Sequence, residues 1–316
     1  MPAFTFTHHS VVSSQKDLGN LPARNAGLPG ARDVFHTNRQ ETRPGMKEAM
    51  SPPRTTGDAF EFVGNWSGQV IAASVHAGHD LRREIEEVMI LDEEVRRREE
   101  DPFTELIAGL VPARVLTGRS RFEVDLNRPR DEAVYRRPED CWDLQVWADP
   151  PLDDDLTARS LEVYDAFYAA LGERLDPVAA RGPFVLFDVH SYNHRRGGAD
   201  GDPAPVEDNP GVNVGTGTLD DERFGGVVDA LIDSLGTQGV GGGPLDAREN
   251  VAFEGRAVAA WVHERYPDVG CALALEFKKT FMDENTGEPV HSAIRRSARA
   301  LAAAIPDVLS ELDALR

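Results

Sequence analysis

The sequence predicts an α/β protein with a mixed, mostly parallel central sheet and helices on both faces. Short apolar runs typical of buried strands alternate with segments whose apolar residues recur every three or four positions, as in amphipathic helices. This alternation is typical of a sheet covered by helices on both sides. The 316 residues are enough for one large domain or two modest ones.

Residues 1–60 are predicted to be a poorly ordered extension, because they are rich in Ser, Thr, Gly, Pro and Asn and have no sustained apolar period. Residues 61–316 are predicted to form a single domain. Strands are predicted at 68–75, 113–117, 122–126, 184–189 and 271–275. Helices are predicted around 81–95, 161–175, 227–235 and 292–315. The segment 195–218 is too long for a plain connection and is predicted to be a functional loop or lid.

The composition restricts the partners and the cellular location. A formal net charge of −20, from 34 basic and 54 acidic residues, argues against nucleic acid as a partner. An anionic small substrate would need a local group of arginines to be captured. The sequence has no apolar run long enough to span a bilayer and no secretory signal at its start. The cysteines, Cys141 and Cys271, form no metal-binding or disulfide pattern, which favours the cytoplasm.

Two histidines follow buried apolar runs, at the positions where predicted strands end. Ligands of open α/β sheets bind beyond the carboxyl ends of the strands, so His76 and His190 are expected to face one crevice. Histidine and carboxylate ligands with an open position form catalytic zinc sites. The alternative is that these histidines only make hydrogen bonds at the strand ends. The candidates for a further ligand are His79, Asp80 and Asp101.

Two acidic residues are expected to support such a site. Asp188 lies two residues before His190 and would point to the same side of its strand, where it could orient the imidazole. Glu276 follows the apolar run 271–275 and could act as a general base in the same crevice. The alternative for Glu276 is a surface ion pair with Lys278.

Several motifs, in order over roughly residues 68–290, resemble those of one enzyme family. Residues 120–129 read Ser-Arg-Phe-Glu-Val-Asp-Leu-Asn-Arg-Pro, which is similar to the Ser-Arg-Tyr-x-Val-Asp-Leu-Asn-Arg-Pro signature of N-formylglutamate amidohydrolases. The other matching segments are 75–78, 187–191, 213–216, 275–276 and 280–284. Val75 stands where the family usually has proline, which indicates a divergent member.

The resemblance implies a three-layer α/β/α fold like that of zinc carboxypeptidases, with one Zn²⁺ per chain. His76 and His190 match the two histidine ligands, and Glu276 matches the general base. The third ligand is either Asp101 or His79, ranked nearly equal, with Asp80 behind them. The residues implied to contact the substrate are Arg121, Asn127, Arg128, His194, Arg195, Asn213 and Thr216, with Arg128 in the catalytic site as well.

The implied reaction is hydrolysis of the N-formyl, or a small N-acyl, group of an acidic amino acid such as N-formyl-L-glutamate. It would release formate and the free amino acid, a reaction of histidine degradation. One alternative is a related metallohydrolase acting on another N-acyl amino acid or on a peptide C-terminus. Another is a non-catalytic ligand-binding protein on the same fold. The oligomeric state is left open.

Overall fold

A computed structural model describes residues 58–195, 198, 201–237 and 244–316. The predicted extension 1–60 lies outside the described residues except for its last three. The strands are β1 (Phe60–Gly64), β2 (Val70–Ser74), β3 (Ala113–Thr117), β4 (Phe184–Tyr192), β5 (Val212–Gly215), β6 (Ala247–Glu249) and β7 (Gly270–Lys278). The α-helices are α1 (Arg83–Glu86), α2 (Glu93–Glu99), α3 (Thr104–Ile107), α4 (Asp154–Ala179), α5 (Asp221–Thr237), α6 (Ala257–Arg265) and α7 (His291–Ala314).

The strands of the described residues form one sheet in the order β1-β3-β2-β4-β7-β5-β6. The four neighbours β3, β2, β4 and β7 run parallel, while β1 and β5 are each antiparallel to an inner strand. The predicted mixed, mostly parallel sheet is therefore confirmed. β4 is central, and all nine of its residues are buried. It pairs with β7 over its full length, from Phe184 opposite Gly270 to Tyr192 opposite Lys278.

Helices cover both faces of this sheet, as alternate residues of β4 show. Val185, Phe187 and Val189 pack in a core cluster with residues of α3, α5 and α7. Phe184 and Leu186 point the other way and pack with α4 and α6. Full burial of one such Val, Leu or Phe side chain stabilises the fold by about 1.5–3 kcal/mol. The fold thus has three layers, α/β/α, as the sequence predicts.

The prediction of one helix over 81–95 is wrong. The chain instead forms the short helices α1 and α2, and the residues between them pair with an irregular segment: Ile90 N–H donates to the Val146 carbonyl at 2.9 Å, and Ala148 N–H to the Val88 carbonyl at 3.1 Å. α2 starts afresh because the Asp92 side chain accepts a hydrogen bond from the backbone N–H of Glu94. The apolar residues of this region pack in a separate cluster rather than on one helix face.

The prediction of a strand at 122–126 is also wrong. The backbone N–H groups of Glu123 and Val124 donate to the Ser120 carbonyl, and the Ser120 hydroxyl accepts from Phe122 N–H. Asp125 then accepts from the backbone N–H of Asn127 at 2.9 Å. Short polar side chains that bind nearby backbone groups compete with strand pairing, so the segment turns although its apolar residues are buried.

The predicted strands at β2, β3, β4 and β7 and the predicted helices at α4, α5 and α7 are confirmed. The segment 195–218 is not wholly a loop, because it contains β5, which joins the sheet beside β7. The short strands β1 and β6 and the short helix α3 were not predicted. None of the helices in the described part of the chain combines the length and apolar character that crossing a membrane requires.

Candidate active site

Two neighbouring strands place His76 and His190 side by side. β2 and β4 run parallel, with Ala73 of β2 opposite Asp188 of β4. His76 follows the end of β2 by two residues, and His190 lies near the end of β4. The ring centroids are 4.8 Å apart, and each residue is at most 3% exposed. The parallel pairing of the two strands therefore brings the two imidazoles into one buried site.

Asp101 completes a cluster with these two histidines. It lies between α2 and α3, and its backbone N–H donates to the His76 carbonyl at 2.9 Å. Its Oδ2 atom is 3.4 Å from Nδ1 of His76 and 3.1 Å from Nδ1 of His190. Burial alone would raise the pKa of Asp101, but the hydrogen bond from His190 and the charge of Lys279 outweigh this effect and hold the pKa well below its usual value.

A further carboxylate faces the other nitrogen of each imidazole. Asp125 Oδ1 is 2.6 Å from Nε2 of His76, and Asp188 Oδ2 is 2.9 Å from Nε2 of His190. Both aspartates are fully buried. A carboxylate at Nε2 favours a proton on that nitrogen, so Nδ1 is the nitrogen that a metal ion would bind. Nδ1 of each ring faces Oδ2 of Asp101.

Asp125 is itself fixed by several donors. Arg121 donates to its Oδ2 at 2.8 Å, and the Tyr135 hydroxyl donates to the same oxygen. Burial would raise the pKa of Asp125, but the charges of Arg121 and His76 outweigh this effect and keep it well below its usual value. The partner of His76 is therefore a rigid, ionised carboxylate.

The residues of the cluster fit a divalent metal ion of the zinc type. Their three ligand atoms, one from each of His76, Asp101 and His190, lie within 4.8 Å of one another. Tetrahedral ligands at zinc bond lengths are about 3.3 Å apart, close to the separations of 3.1 and 3.4 Å from Asp101 Oδ2. Nδ1 of His76 is buried and makes no hydrogen bond. An unpaired buried nitrogen is costly unless something such as a cation uses its lone pair.

The other two candidates for the third ligand lie outside this cluster. His79 Nδ1 is 2.6 Å from Glu100 Oε2, and its Nε2 is 2.6 Å from a terminal nitrogen of Arg96. Both ring nitrogens are thus already bound. Asp80 is exposed at the surface, where its backbone bridges to Arg119. Of the three candidates, the structure brings only Asp101 to the two histidines.

Glu276 lies beside the cluster. It is on β7 directly opposite His190 of β4, so the two side chains project from the same face of the sheet. The residue is partly exposed. Desolvation raises its pKa to about 7, although the charge of His190 opposes the rise. A carboxyl group with a pKa near neutrality is suited to taking up and returning a proton.

The two arginines of the 120–129 motif differ in the contacts that their side chains make within the protein. Arg121 donates to Asp125, to the Tyr135 hydroxyl at 3.3 Å and to the Glu99 carbonyl at 3.4 Å. Arg128 stacks on the Tyr135 ring, with its Cζ 4.7 Å from the centroid, and its Nε is 3.7 Å from Asp125 Oδ2. Among the described residues, the buried Nε of Arg128 has no hydrogen-bond partner.

Asn127 is bound within the protein. Its Oδ1 accepts from the backbone N–H of Val258 at 3.0 Å, and its Nδ2 is 3.0 Å from Nε2 of His190. These contacts link the 120–129 segment to the first turn of α6 and to β4. The side chain of Asn127 therefore lies next to an imidazole of the cluster, with its carbonyl oxygen already used.

The four remaining residues implied to bind substrate hold other segments of the protein. Asn213 accepts from the backbone N–H of Ala252 and donates to the Phe253 carbonyl. Thr216 donates from its hydroxyl to Glu249, at 2.5 Å. His194 contacts Glu284 through its ring nitrogen at 2.5 Å, and Arg195 donates to the Gly201 carbonyl at 2.5 Å.

Three residues contact the cluster without having been assigned a role from the sequence: Asp125, Ser191 and Lys279. Asp125 could have been found, because ligand histidines usually have a carboxylate partner and this one lies inside the 120–129 motif. The Ser191 hydroxyl donates to Asp101 Oδ1 at 2.8 Å. Lys279 Nζ is 4.0 Å from the same oxygen. No spacing in the sequence links either residue to Asp101, which is far from both along the chain.

Two solved structures share this fold. N-formylglutamate amidohydrolase from Ralstonia eutropha JMP134 matches 80% of this chain and 98% of its own, with a TM-score of 0.64 and 17% identity. The gene product Atu2144 from Agrobacterium tumefaciens matches 81% of this chain and 97% of its own, with a TM-score of 0.56 and 19% identity. At these identities the likeness shows the fold alone. A metallo-carboxypeptidase from Burkholderia cenocepacia has a TM-score of only 0.34, which supports no conclusion.

The sequence itself matches a family model over more than half of its length. No curated protein matches the chain in sequence. The model described as N-formylglutamate amidohydrolase matches residues 68–282, a range that includes His76, Asp101, His190 and Glu276. The chain belongs to the N-formylglutamate amidohydrolase family.

Proposed function

We propose that this protein is a zinc-dependent amidohydrolase that removes the N-formyl group of an acidic amino acid such as N-formyl-L-glutamate. The observation that carries the proposal is the buried cluster of His76, Asp101 and His190, with Glu276 on the adjacent strand. Membership of the N-formylglutamate amidohydrolase family supports the same reaction and substrate class.

The metal would be held by Nδ1 of His76, Nδ1 of His190 and Oδ2 of Asp101. Two imidazoles and one carboxylate, with a position left for water or substrate, form the usual ligand set of a catalytic zinc ion. When bound there, zinc would polarise the scissile carbonyl and make water acidic enough to react at neutral pH. Asp125 and Asp188 hold the imidazoles in the orientation that this ligation needs.

Glu276 would act as the general base and then as the general acid. It takes a proton from the attacking water as the new C–O bond forms at the formyl carbon. It then delivers that proton to the amide nitrogen as the C–N bond breaks, so that formate and the free amine leave. The position of Glu276 opposite His190 and its raised pKa both support this role.

Arg128 would bind a carboxylate of the substrate. Its terminal nitrogens can make the two-point contact that a guanidinium offers to a carboxylate. Tyr135 beneath it and Asp125 beside it fix the side chain in place. Arg121 already donates a hydrogen bond to Asp125. We therefore assign it the role of holding Asp125 in place beside His76, and not that of binding the substrate.

Variants of the ligand residues test the metal site and the choice of third ligand. The purified protein is expected to hold close to one zinc per chain. His76→Ala, Asp101→Ala and His190→Ala should each weaken zinc binding by more than the ~10–100-fold that loss of a ligand's hydrogen-bond partner costs. His79→Ala is the matched control and should keep its zinc. Zinc content by elemental analysis after dialysis decides the matter, and loss in His79→Ala with retention in Asp101→Ala would reverse the assignment.

Formate release from N-formyl-L-glutamate tests the reaction and the base together. We expect turnover by the zinc-loaded protein, and a fall in kcat of about 10²–10⁴-fold in Glu276→Gln, since proton transfer is lost while zinc stays bound. Glu264→Gln, at an exposed glutamate of α6, should behave like the unchanged protein. Full activity in Glu276→Gln would refute the role of Glu276. Turnover of N-acetyl but not N-formyl amino acids would refute the proposed substrate.

Substitution of Arg128 tests carboxylate recognition. Arg128→Ala removes a charge-assisted contact of about 1.5–3 kcal/mol, so KM for the N-formyl amino acid should rise by about 10–100-fold. Arg130→Ala serves as the control, because Arg130 is exposed and pairs with Asp165 at the surface. Steady-state kinetics of both variants provide the measurement. An unchanged KM in Arg128→Ala would show that the carboxylate is bound elsewhere.

A further inference from the structure

A buried lysine lies at the carboxyl end of β7 and contacts the segment that carries Asp101. Lys279 is 1% exposed. Its Nζ donates to the carbonyls of Arg98, at 2.5 Å, and Glu100, at 2.7 Å. Its backbone N–H donates to the Tyr192 carbonyl of β4 at 3.0 Å. The residue therefore connects the end of the sheet to the chain immediately before Asp101.

The carbonyls that Lys279 binds belong to the end of α2, which closes at Glu99. The last carbonyls of a helix have no partner within the helix, and a cation there is favourable because it binds them and complements the helix dipole. The ammonium group of Lys279 thus fixes where α2 ends. Asp101 follows two residues later, so the same contact also fixes the position of the Asp101 backbone, from which the carboxylate side chain extends.

The side chain of Asp101 is divided between two sets of contacts. Oδ1 accepts from the Ser191 hydroxyl at 2.8 Å and lies 4.0 Å from Nζ of Lys279. Oδ2 faces Nδ1 of both histidines. With Oδ1 held from one side, the carboxylate cannot rotate freely, and Oδ2 stays directed at the two imidazoles.

We infer that Lys279, together with Ser191, is a positioning residue that fixes Asp101 for metal binding. The inference rests on the proposed metal site. A buried lysine is costly to desolvate, and an apolar side chain could fill the same volume. What an apolar side chain cannot supply is donors to two carbonyls of the ligand segment and a positive charge near Asp101 Oδ1.

The test compares Lys279→Met with Lys278→Met, a matched change at the neighbouring, partly exposed lysine. Zinc affinity is measured by competition with a chelator, and the site is loaded with Co²⁺ to record its visible absorption, which reports the ligand geometry. Lys279→Met should bind zinc about 10–100-fold more weakly, as when the groups that orient a ligand are lost, and its cobalt spectrum should change. Lys278→Met should match the unchanged protein in both measurements.

Other outcomes separate this inference from the proposed function. If the unchanged protein binds no zinc, the proposed function and this inference both fail. If it binds zinc, and Lys279→Met shows the same affinity and cobalt spectrum, the inference alone fails, even where the metal-free variant melts at a lower temperature. If Lys279→Met does not fold, Lys279→Gln, which keeps an amide donor, takes its place and should show a smaller loss in the same direction. Ser191→Ala should weaken zinc binding as well, and unchanged binding there would remove Ser191 from the proposal.

Discussion

The site depends on the balance of buried charge around two imidazoles. Three buried aspartates surround His76 and His190, and ionised carboxylates persist in a protein interior only where charged or hydrogen-bonding partners compensate them. Asp125 and Asp188 take the Nε2 side of the rings, and Asp101 takes the Nδ1 side. This division leaves Nδ1 of both rings facing a single carboxylate oxygen. A cation at that point would satisfy all three groups at once.

The central sheet holds most of the site residues in fixed positions relative to one another. β2, β4 and β7 are neighbouring parallel strands, and their ends bring together His76, His190 and Glu276. Asp101 comes from outside the sheet, on the chain between two short helices, and is tied to it by its backbone bond to His76 and by Lys279. His190 and the proposed base Glu276 therefore lie on strands and His76 closely follows one, while Asp101 depends on added contacts for its position.

Much of this could be predicted from the sequence, for a physical reason. Buried parallel strands appear as continuous apolar runs, so β2, β4 and β7 and the residues that follow them were recognisable. Parallel strands end at the same edge of a sheet, so the strand ends alone predict that His76 and His190 lie together. The family motifs imply roles for individual residues, most directly for Arg128 and Glu276, and these roles stay predictions.

The parts that could not be predicted depend on how irregular segments fold. The path from His79 to Asp101 passes through two short helices whose boundaries are set by capping and by pairing with 146–148, so spacing alone could not choose between the two residues. Asn213 and Thr216 lie in a motif that resembles the family's and implies substrate binding. In the structure their side chains instead make hydrogen bonds to the segment 249–253. The contacts of Ser191 and Lys279 with Asp101 join residues about 90 or more positions apart in sequence, and nothing local indicates such a contact.

The location of the metal itself is the most direct test of the proposed site. A crystal structure of the zinc-loaded protein, with anomalous data collected on both sides of the zinc absorption edge, would place the ion without assumptions about its ligands. We expect one anomalous peak within about 2.0–2.2 Å of Nδ1 of His76, Nδ1 of His190 and an oxygen of Asp101. A peak bound by His79 and Glu100 instead, or no peak at the three residues, would contradict it.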